Sequence, residues 1–241
     1  MTTAIIVQAR MGSTRLPGKV AMDLHGKTVL AHVLDRCSAV TGADVVVCAM
    51  PEEASSRPLQ KIADECGAKS FFGSEADVLA RYVGAAHSVG ADVIMRVTSD
   101  CPFIDPSICD AVLELRKKER ADYAANNMPA SFPHGLDCEA MTIEALCEAM
   151  MESEKPYDRE HVTPWLRRAE HLVRANLSSG DPALAMHRWT LDFPEDFEFF
   201  RAVLAELPKN SPAKMGEIQN VLLEHPALSQ INCMHQVQKI K

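Results

Sequence analysis

Short apolar runs alternate with helical patterns through the first half of the chain. The apolar runs, which predict strands, cover residues 4–7, 44–50, 68–72 and 92–97. Apolar stripes at a spacing of three and four residues, which predict helices, lie within 27–40, 55–67, 78–86 and 106–115. Asp105 is placed to cap the last of these helices and Pro106 to open it. Strands that are apolar throughout and separated by helices indicate a parallel sheet covered on both faces. We therefore predict a three-layer α/β/α fold with a mostly parallel central sheet.

From about residue 120 the strands become more mixed in polarity. The predicted strands cover 122–126, 137–142, 171–177 and 186–191, and the predicted helices cover 142–152, 158–169 and 195–207. No segment has the composition of a linker, so we predict one domain over 1–241. Within it, residues 120–190 form a candidate subdomain or dimer-forming insertion.

Composition narrows the class of partner. The net charge is −8 and the pI about 5.6, which argues against nucleic acid or an anionic membrane as the main partner. The first apolar run is too short for a secretion signal, and no run approaches the roughly 20 residues of a membrane span. Eight cysteines without metal-like spacing are typical of free thiols in a reducing compartment, so we predict a cytoplasmic protein.

Against this acidic background, the stretch IIVQARMGSTRLPGKV at residues 5–20 concentrates three cations, Arg10, Arg15 and Lys19, beside two glycines. It follows the first strand and therefore lies at the carboxyl edge of the sheet, where such folds bind ligands. Successive amides over residues 11–14 can form a nest for an anion, and the cations supply charge for a polyphosphate. The stretch predicts a phosphate-binding loop.

Two familiar phosphate loops do not fit this stretch. Five residues separate Gly12 from Gly18, one more than a Walker loop has, and Val20 stands where that motif places its hydroxyl residue. The dinucleotide fingerprint GxGxxG is also absent. The residues therefore favour either a phosphate loop of another kind or a basic surface turn.

Two aspartates are predicted to end strands at the same edge of the sheet. Asp100 closes the strand at 92–97, and Asp192 follows the predicted strand at 186–191. A pair of carboxylates suits Mg²⁺, which completes its shell with phosphates and water. Each aspartate also has a local alternative, because Asp192 can cap the next helix and Asp100 can be a turn residue. With the basic loop, the pair predicts a magnesium–nucleotide site.

Several motifs together resemble the cytidylyltransferases of the spore-coat-polysaccharide type and their relatives that activate sialic acids and 3-deoxy-manno-octulosonate as CMP-sugars. These motifs are RMGSTRLPGK, GSEADVLARY at 73–82, RVTSDCPFIDP, HGLDCE at 134–139, DREHVTP at 158–164 and RWTLDFPEDFE at 188–198. The resemblance implies a nucleotide-diphospho-sugar-transferase-like (GT-A-like) fold, a CTP donor, magnesium dependence and a homodimer formed through residues 120–190.

The resemblance also implies roles for individual residues in nucleotide binding. The nucleotide contacts in the first loop would be Arg10, Met11, Gly12, Ser13, Arg15 and Lys19. The base or ribose contacts would be Ser74, Asp77 and Arg81, although the same residues also describe an ordinary helix start. Asp100 and Asp192 would hold magnesium, and the catalytic set would be Arg10, Arg15, Lys19 and Asp100.

The acceptor side is expected in the remaining polar motifs, with candidates His134, Asp137, Glu139, Arg159, His161 and Arg188. Asp137 and Glu139 would alternate along a short strand and face the same way, either toward the acceptor or toward solvent. Arg159 is a candidate clamp for a carboxylate or phosphonate. His161 is either a ligand or a packed histidine.

These features together predict a cytoplasmic, magnesium-dependent cytidylyltransferase that transfers CMP from CTP to an acidic sugar or similar oxyacid, with release of pyrophosphate, in surface-glycan biosynthesis. The alternatives are a GT-A-type glycosyltransferase that consumes a nucleotide-sugar and a non-catalytic nucleotide-binding module. Ulosonic acids, other sugars and phosphonates all remain open as acceptors, and the choice of pyrimidine nucleotide also remains open.

Overall fold

A computed structural model describes residues 1–208 and 212–236 of the chain. Within these residues the strands are β1 (Thr3–Gln8), β2 (Asp23–Leu24), β3 (Lys27–Thr28), β4 (Val45–Pro51), β5 (Lys69–Gly73), β6 (Val93–Thr98), β7 (Tyr123–Ala125), β8 (Glu139–Thr142) and β9 (Arg174–Asn176). The α-helices are α1 (Val29–Ser38), α2 (Arg57–Glu65), α3 (Val78–Ser88), α4 (Pro106–Glu119), α5 (Ile143–Glu152), α6 (Pro156–His161), α7 (Pro164–Arg168), α8 (Pro194–Glu206) and α9 (Met215–Glu224).

The described strands, apart from the small β2–β3 pair, form one sheet in the order β5-β4-β1-β6-β8-β7-β9. Strands β5, β4, β1 and β6 are parallel to one another, whereas β8 runs antiparallel to both β6 and β7. The chain crosses from one side of β1 to the other between β5 and β6. Parallel sheets bind ligands at such a switch point, beyond the carboxyl ends of the strands.

Helices cover both faces of the sheet. Side chains alternate along β1, so Ile5 and Val7 pack into one apolar layer while Ala4 and Ile6 pack into the other. The first layer receives buried residues from α1, α2, α4, α8 and α9, and the second from α3, α5 and α7. The predicted three-layer α/β/α architecture with a mostly parallel sheet is confirmed.

Most predicted elements are present, with shifted ends, but two predictions were wrong. Residues 186–191 do not form a strand. In the described structure they make one isolated β-bridge, between Arg188 and His134. The predicted helix at 158–169 is broken into α6 and α7. Pro164 has no amide hydrogen to continue the helix, and Val162, which ends α6, adopts a φ of +70°. Helix α9 lies where no element was predicted.

Backbone contact between two motifs replaces the missing strand. The His134 amide donates to the His187 carbonyl at 3.0 Å, and the Trp189 amide donates to the His134 carbonyl at 2.7 Å. Gly135 allows this approach because its φ is +112° and a Cβ built there would lie 2.0 Å from the Trp189 carbonyl oxygen. Residues 187–189 therefore dock directly onto the HGLD turn, which fixes the path of the chain toward Asp192.

We expect Gly135→Ala to destabilise the protein by about 2–4 kcal/mol, because the added methyl collides with backbone and the φ is unfavourable. The control is Gly180→Ala, at φ +81° with nothing within 4 Å of the added Cβ, which should cost about 1–2 kcal/mol. Urea unfolding of both variants measures the difference. Equal losses would show that the close approach to Trp189 contributes nothing.

Candidate active site

The first loop leaves β1 and folds back on itself. The Gly18 amide donates to the Met11 carbonyl at 3.2 Å, and the Leu16 amide donates to Ser13 Oγ at 3.3 Å. Gly18 has a φ of +68°, a conformation that favours glycine. The turn returns the chain to the sheet edge and places Lys19 beneath the loop.

Lys19 joins this loop to the two aspartates. Its Nζ donates to the Leu191 carbonyl at 2.5 Å and to Asp192 Oδ1 at 2.9 Å, and lies 3.4 Å from Asp100 Oδ2. Only 12% of its side chain is exposed. The Leu191 amide donates to the Asp100 carbonyl at 2.8 Å, so the two aspartate segments also contact each other directly. The structure therefore brings these three charged side chains together at one site.

Asp100 is oriented from its own strand. Thr98 Oγ1 donates to Asp100 Oδ1 at 2.5 Å, and Thr190 Oγ1 donates to the Asp100 carbonyl at 3.3 Å. One carboxylate oxygen is therefore held by the end of β6, while the other faces Lys19.

Asp192 lies among three cations. Besides Lys19, its carboxylate is 3.3 Å from an Arg15 nitrogen and 3.2 Å from an Arg188 nitrogen. Burial opposes ionisation of Asp192, but Lys19 and the two arginines outweigh it, so the pKa lies below its ordinary value. The carboxylate is therefore ionised at neutral pH.

Asp196, rather than Asp192, caps helix α8. Its buried carboxylate accepts from the amides of Asp192 and Phe193 at 2.9 and 3.0 Å. It also receives a forked contact from Arg188 at 2.9 and 2.8 Å. Asp196 thereby holds Arg188 in place against Asp192. The capping alternative for Asp192 is therefore wrong.

Residues 232–235, near the end of the described part of the chain, support the same site. Asn232 Nδ2 donates to Asp196 Oδ1 at 2.9 Å. The His235 ring stacks on Phe193 with centroids 3.8 Å apart, and the Arg15 guanidinium lies 4.8 Å from the centroid of the same ring. Residues 232–235 thus brace the segment that positions Arg15.

Arg15, Lys19, Asp100 and Asp192 border a cleft of about 320 Å³ at the switch point of the sheet. Among the predicted site residues, the cleft is lined by Arg10, Gly12, Ser13, Arg15, Lys19, Arg81, Asp100, His161 and Asp192. Eight further lining residues were not among the predicted site residues: Gln8, Ala9, Thr14, Val20, Val78, Thr98, Ser99 and Glu160. The position of Gln8 and Thr98 at the ends of β1 and β6 was the available signal.

Of the three predicted nucleoside contacts, Ser74 and Asp77 are hydrogen-bonded at the start of α3, whereas Arg81 borders the cleft. The Asp77 carboxylate accepts from the Ala80 amide at 2.9 Å, where it caps α3, and also binds Arg159. Ser74 Oγ accepts from the Asp77 amide at 3.0 Å. Arg81 borders the cleft, donates to the Ser74 carbonyl and has a pKa lowered by burial. The nucleoside role of this segment stays a prediction, and Arg81 is the residue placed to perform it.

The acceptor candidates are divided between the surface and the interior. Strand β8 begins only at Glu139, so Asp137 lies before it, and the predicted alternating pair is wrong. Asp137 is partly exposed and accepts from the Gly135 amide at 3.0 Å. Glu139 is buried and paired with Arg96 at 2.6 Å and with Arg167. Burial opposes its ionisation, but the two arginines outweigh it and hold the pKa of Glu139 at about 2.

Arg159 is already engaged by Asp77, with 3.0 Å between its Nε and that carboxylate, and also donates to the Met150 carbonyl at 2.6 Å. His161 is exposed, borders the cleft and packs against Tyr157 with ring centroids 4.4 Å apart. His134 and Arg188 border a separate cavity of about 260 Å³. Only His161 of the acceptor candidates therefore lies directly on the main cleft.

The cleft offers hard oxygen donors for a divalent cation. In the described part of the chain, no cluster of three or more His, Cys, Asp or Glu side chains has the geometry of a metal site. Two converging carboxylates, Asp100 and Asp192, nevertheless suit Mg²⁺, which takes one or two carboxylates together with substrate phosphates. The donor set therefore fits a cation that binds together with a nucleotide.

The described helices include none that is long and apolar enough to cross a membrane.

Comparison with known proteins places the chain among nucleotidyltransferases. The family model described as Cytidylyltransferase matches residues 4–236. The spore coat polysaccharide biosynthesis protein SpsF of Bacillus subtilis is 28% identical over 228 residues, which cover 92% of this chain and 94% of SpsF. A 3-deoxy-manno-octulosonate cytidylyltransferase of Anaeromyxobacter is 32% identical over 112 residues, which cover 46% of this chain and 45% of the relative.

Solved structures agree with this placement. A cytidylyltransferase from Leptospira borgpetersenii superposes with a TM-score of 0.90 at 30% identity, covering 100% of this chain and 99% of that one. A CMP:2-keto-3-deoxy-manno-octonic acid synthetase complexed with CTP shares the fold, with a TM-score of 0.65 at 21% identity, covering 86% of this chain and 99% of that one. The predicted nucleotide-diphospho-sugar-transferase-like fold is thereby confirmed.

The depressed pKa of Glu139 predicts a pH-dependent contribution to stability. The unfolded carboxyl has a pKa near 4.5, so the ion pair is fully present above that pH and is lost as pH falls toward 2. Glu139→Gln should cost about 3 kcal/mol at pH 7, because it leaves two arginines without their carboxylate. It should cost clearly less at pH 2.5.

Urea unfolding at both pH values measures these losses, with Glu224→Gln as the control at an exposed position. A Glu139→Gln penalty that does not change between pH 7 and pH 2.5 would contradict the assignment.

Proposed function

The chain belongs to the cytidylyltransferase family, and from this premise we propose that it transfers CMP from CTP to a small acidic acceptor with release of pyrophosphate. The observation that carries the proposal is the convergence of Lys19 with Asp100 and Asp192 beneath the first loop. Enzymes of phosphoryl transfer need cations for the phosphates and carboxylates for a metal in one place.

The first loop supplies the triphosphate contacts. Arg10, Arg15 and Lys19 border the cleft, so they concentrate positive charge there although the net charge of the protein is −8. Guanidinium groups make forked contacts to phosphate oxygens, and the ammonium of Lys19 makes a point contact. Gly12 and Ser13 also line the cleft, where the backbone can approach the phosphates closely.

Asp100 and Asp192 would hold magnesium together with phosphate oxygens of CTP. When bound, the cation neutralises phosphate charge and favours departure of pyrophosphate. Thr98 supports this role because it fixes one oxygen of Asp100, and Arg188 supports it because it fixes Asp192 from the other side.

In the reaction, an oxygen of the acceptor attacks the α-phosphorus of CTP. The new oxygen–phosphorus bond forms as the bond to the bridging oxygen breaks; pyrophosphate takes the electron pair, and the hydroxyl proton of the acceptor passes to solvent. Arg10, Arg15 and Lys19 orient the triphosphate and offset the charge that develops on the leaving group. His161 and Glu160 also line the cleft and are the candidates for contact with the attacking hydroxyl.

The relatives support an acidic sugar as the acceptor and a place in surface polysaccharide synthesis. SpsF is described as a spore coat polysaccharide biosynthesis protein, and another relative acts on 3-deoxy-manno-octulosonate. We also propose a cytoplasmic homodimer that associates through residues 120–190.

A screen for pyrophosphate release tests the proposed function. CTP and UTP are each offered with Mg²⁺ and a panel of acceptors: sugar acids, their neutral amides, neutral sugars and phosphonates. We expect release that needs CTP and an anionic acceptor. Release of a nucleoside diphosphate from a nucleotide-sugar would instead indicate a glycosyltransferase, and CTP binding without turnover of any acceptor would indicate a binding module.

We expect Asp100→Asn to lower magnesium-dependent turnover by about 10²-fold or more, because one of the two carboxylates for the cation is lost. The isosteric change should leave the thermal midpoint nearly unchanged. Asp35→Asn is the control, since it removes a carboxylate from the surface pair with Lys27. Turnover of the Asp100 variant at the wild-type rate would refute the metal role.

A further inference from the structure

Helix α6 carries four consecutive polar residues, DREH, that divide into two pairs. Glu160 and His161 border the nucleotide cleft, whereas Asp158 and Arg159 bind residues of other helices. Successive helical residues are about 100° apart, so residues two positions apart point to nearly opposite sides of the helix. Asp158 and Arg159 therefore hold α6 from one side, and Glu160 and His161 meet the cleft from the other.

Arg159 joins α6 to α3 and α5. Its Nε donates to Asp77 Oδ2 at 3.0 Å, its Nη2 donates to the same oxygen, and its Nη1 donates to the Met150 carbonyl at 2.6 Å. Asp77 Oδ1 accepts from the Ala80 amide, so one carboxylate oxygen caps α3 while the other binds Arg159. The side chains of Arg159 and Asp77 are only 30% and 26% exposed, which distinguishes this pair from a fully solvated surface ion pair.

A helix as short as α6 depends on such contacts for its orientation. It has six residues, and isolated helices shorter than about 12 residues are marginal in water. A second ion pair holds the same helix, because the buried carboxylate of Asp158 receives a forked contact from Arg168 of α7, with one bond of 2.8 Å. Tertiary ion pairs therefore decide where the cleft-facing residues of α6 lie.

The pair between Asp77 and Arg159 also fixes two walls of the cleft relative to each other. Helix α3 begins after Asp77 and carries Arg81, which borders the cleft. The Arg81 amide donates to the Asp77 carbonyl at 3.2 Å. One ion pair thus connects the wall expected beside the nucleoside to the wall that carries His161, across 82 residues of sequence.

We propose that Asp77 and Arg159 are positioning residues, whose ion pair holds α6 against α3 in the orientation that catalysis needs. The pair thereby places Glu160 and His161 beside the attacking oxygen of the acceptor. Arg159 acts from behind the cleft and does not clamp the acceptor. The inference rests on the proposed function, because it assigns residues that align the groups of the same reaction.

Three substitutions remove the ion pair while they keep the helices that it connects. Arg159→Met removes the guanidinium and keeps an apolar stem, and Arg159→Lys keeps the charge but loses the fork. Asp77→Asn keeps a good N-cap for α3 and removes the charge that Arg159 binds. The matched controls are Arg57→Met, at an exposed position of α2, and Asp181→Asn, at an exposed aspartate that caps the turn at 182–186.

Steady-state kinetics use CTP and the acceptor that the wild-type enzyme turns over fastest. Arg159→Met should lower kcat roughly 10- to 100-fold, because a misplacement of about 1 Å can cost about 10²-fold. KM for CTP should stay at the wild-type value, since the first loop is unchanged. Asp77→Asn should lower kcat by a similar factor, and Arg159→Lys should recover part of the loss. Both controls should keep the wild-type kcat.

The double variant Asp77→Asn/Arg159→Met completes a thermodynamic cycle. Its kcat should be no lower than that of the slower single variant, because both substitutions remove the same interaction. Losses that multiply would show independent roles for the two residues and would overturn the proposal.

Hydrogen exchange gives a readout that does not depend on activity. The Val162 amide donates to the Asp158 carbonyl at 2.9 Å and reports the end of α6. It should exchange roughly 2- to 5-fold faster in Arg159→Met and Asp77→Asn, as expected for the loss of a partly exposed ion pair. The amides of α3 should keep their protection in Asp77→Asn. Unchanged exchange at Val162 would show that the pair does not hold α6.

Other outcomes separate this inference from the proposed function. If Arg159 clamped the acceptor, Asp77→Asn would release its guanidinium and lower KM for the acceptor, which would overturn the positioning role. A wild-type kcat in a folded Asp77→Asn enzyme would also overturn it and leave the cytidylyltransferase activity intact. No turnover of any acceptor by the wild-type enzyme would overturn the proposed function and the catalytic role of the pair together.

Discussion

One ammonium group holds the candidate active site of this protein together. Lys19 reaches across 81 residues of sequence to Asp100 and across 172 residues to the Leu191 carbonyl. The hydrogen bond from the Leu191 amide to the Asp100 carbonyl joins the two distant segments to each other. Without this junction, the basic loop and the carboxylates would be three separate features at the end of a sheet. The cleft exists because they share one cation.

The fold and this junction could be predicted from the sequence because their signals are local. Apolar runs such as 44–50 identify buried strands, and the parallel order places the ends of β1 and β6 at the same edge. The cations of the first loop and Asp100 follow those ends directly. Asp192 also lies at the predicted position, although residues 186–191 are not the strand that the prediction assumed. They form an extended segment docked on Gly135, and such a segment shows the same alternation of side chains as a strand.

The acceptor side could not be predicted in the same way, because its charges are neutralised by partners far away in sequence. Arg159 pairs with Asp77 across 82 residues, and Glu139 pairs with Arg96 across 43. Nothing local distinguishes these paired groups from free ligands. Arg96 offered a weak signal, since a charge within an otherwise apolar strand needs a buried partner or a function.

The stacking of His235 on Phe193 and the hydrogen bond from Asn232 to Asp196 also constrain the order of events during synthesis. A ribosome that has released residues 1–200 has delivered the loop cations and both metal-binding candidates, yet the brace for Phe193 and Asp196 is still missing. Chain elongation proceeds at roughly 5–20 residues per second, and a contact between distant residues can form only after both have been synthesised. A nascent chain therefore completes the described sheet before residues 232–235 can brace the cleft.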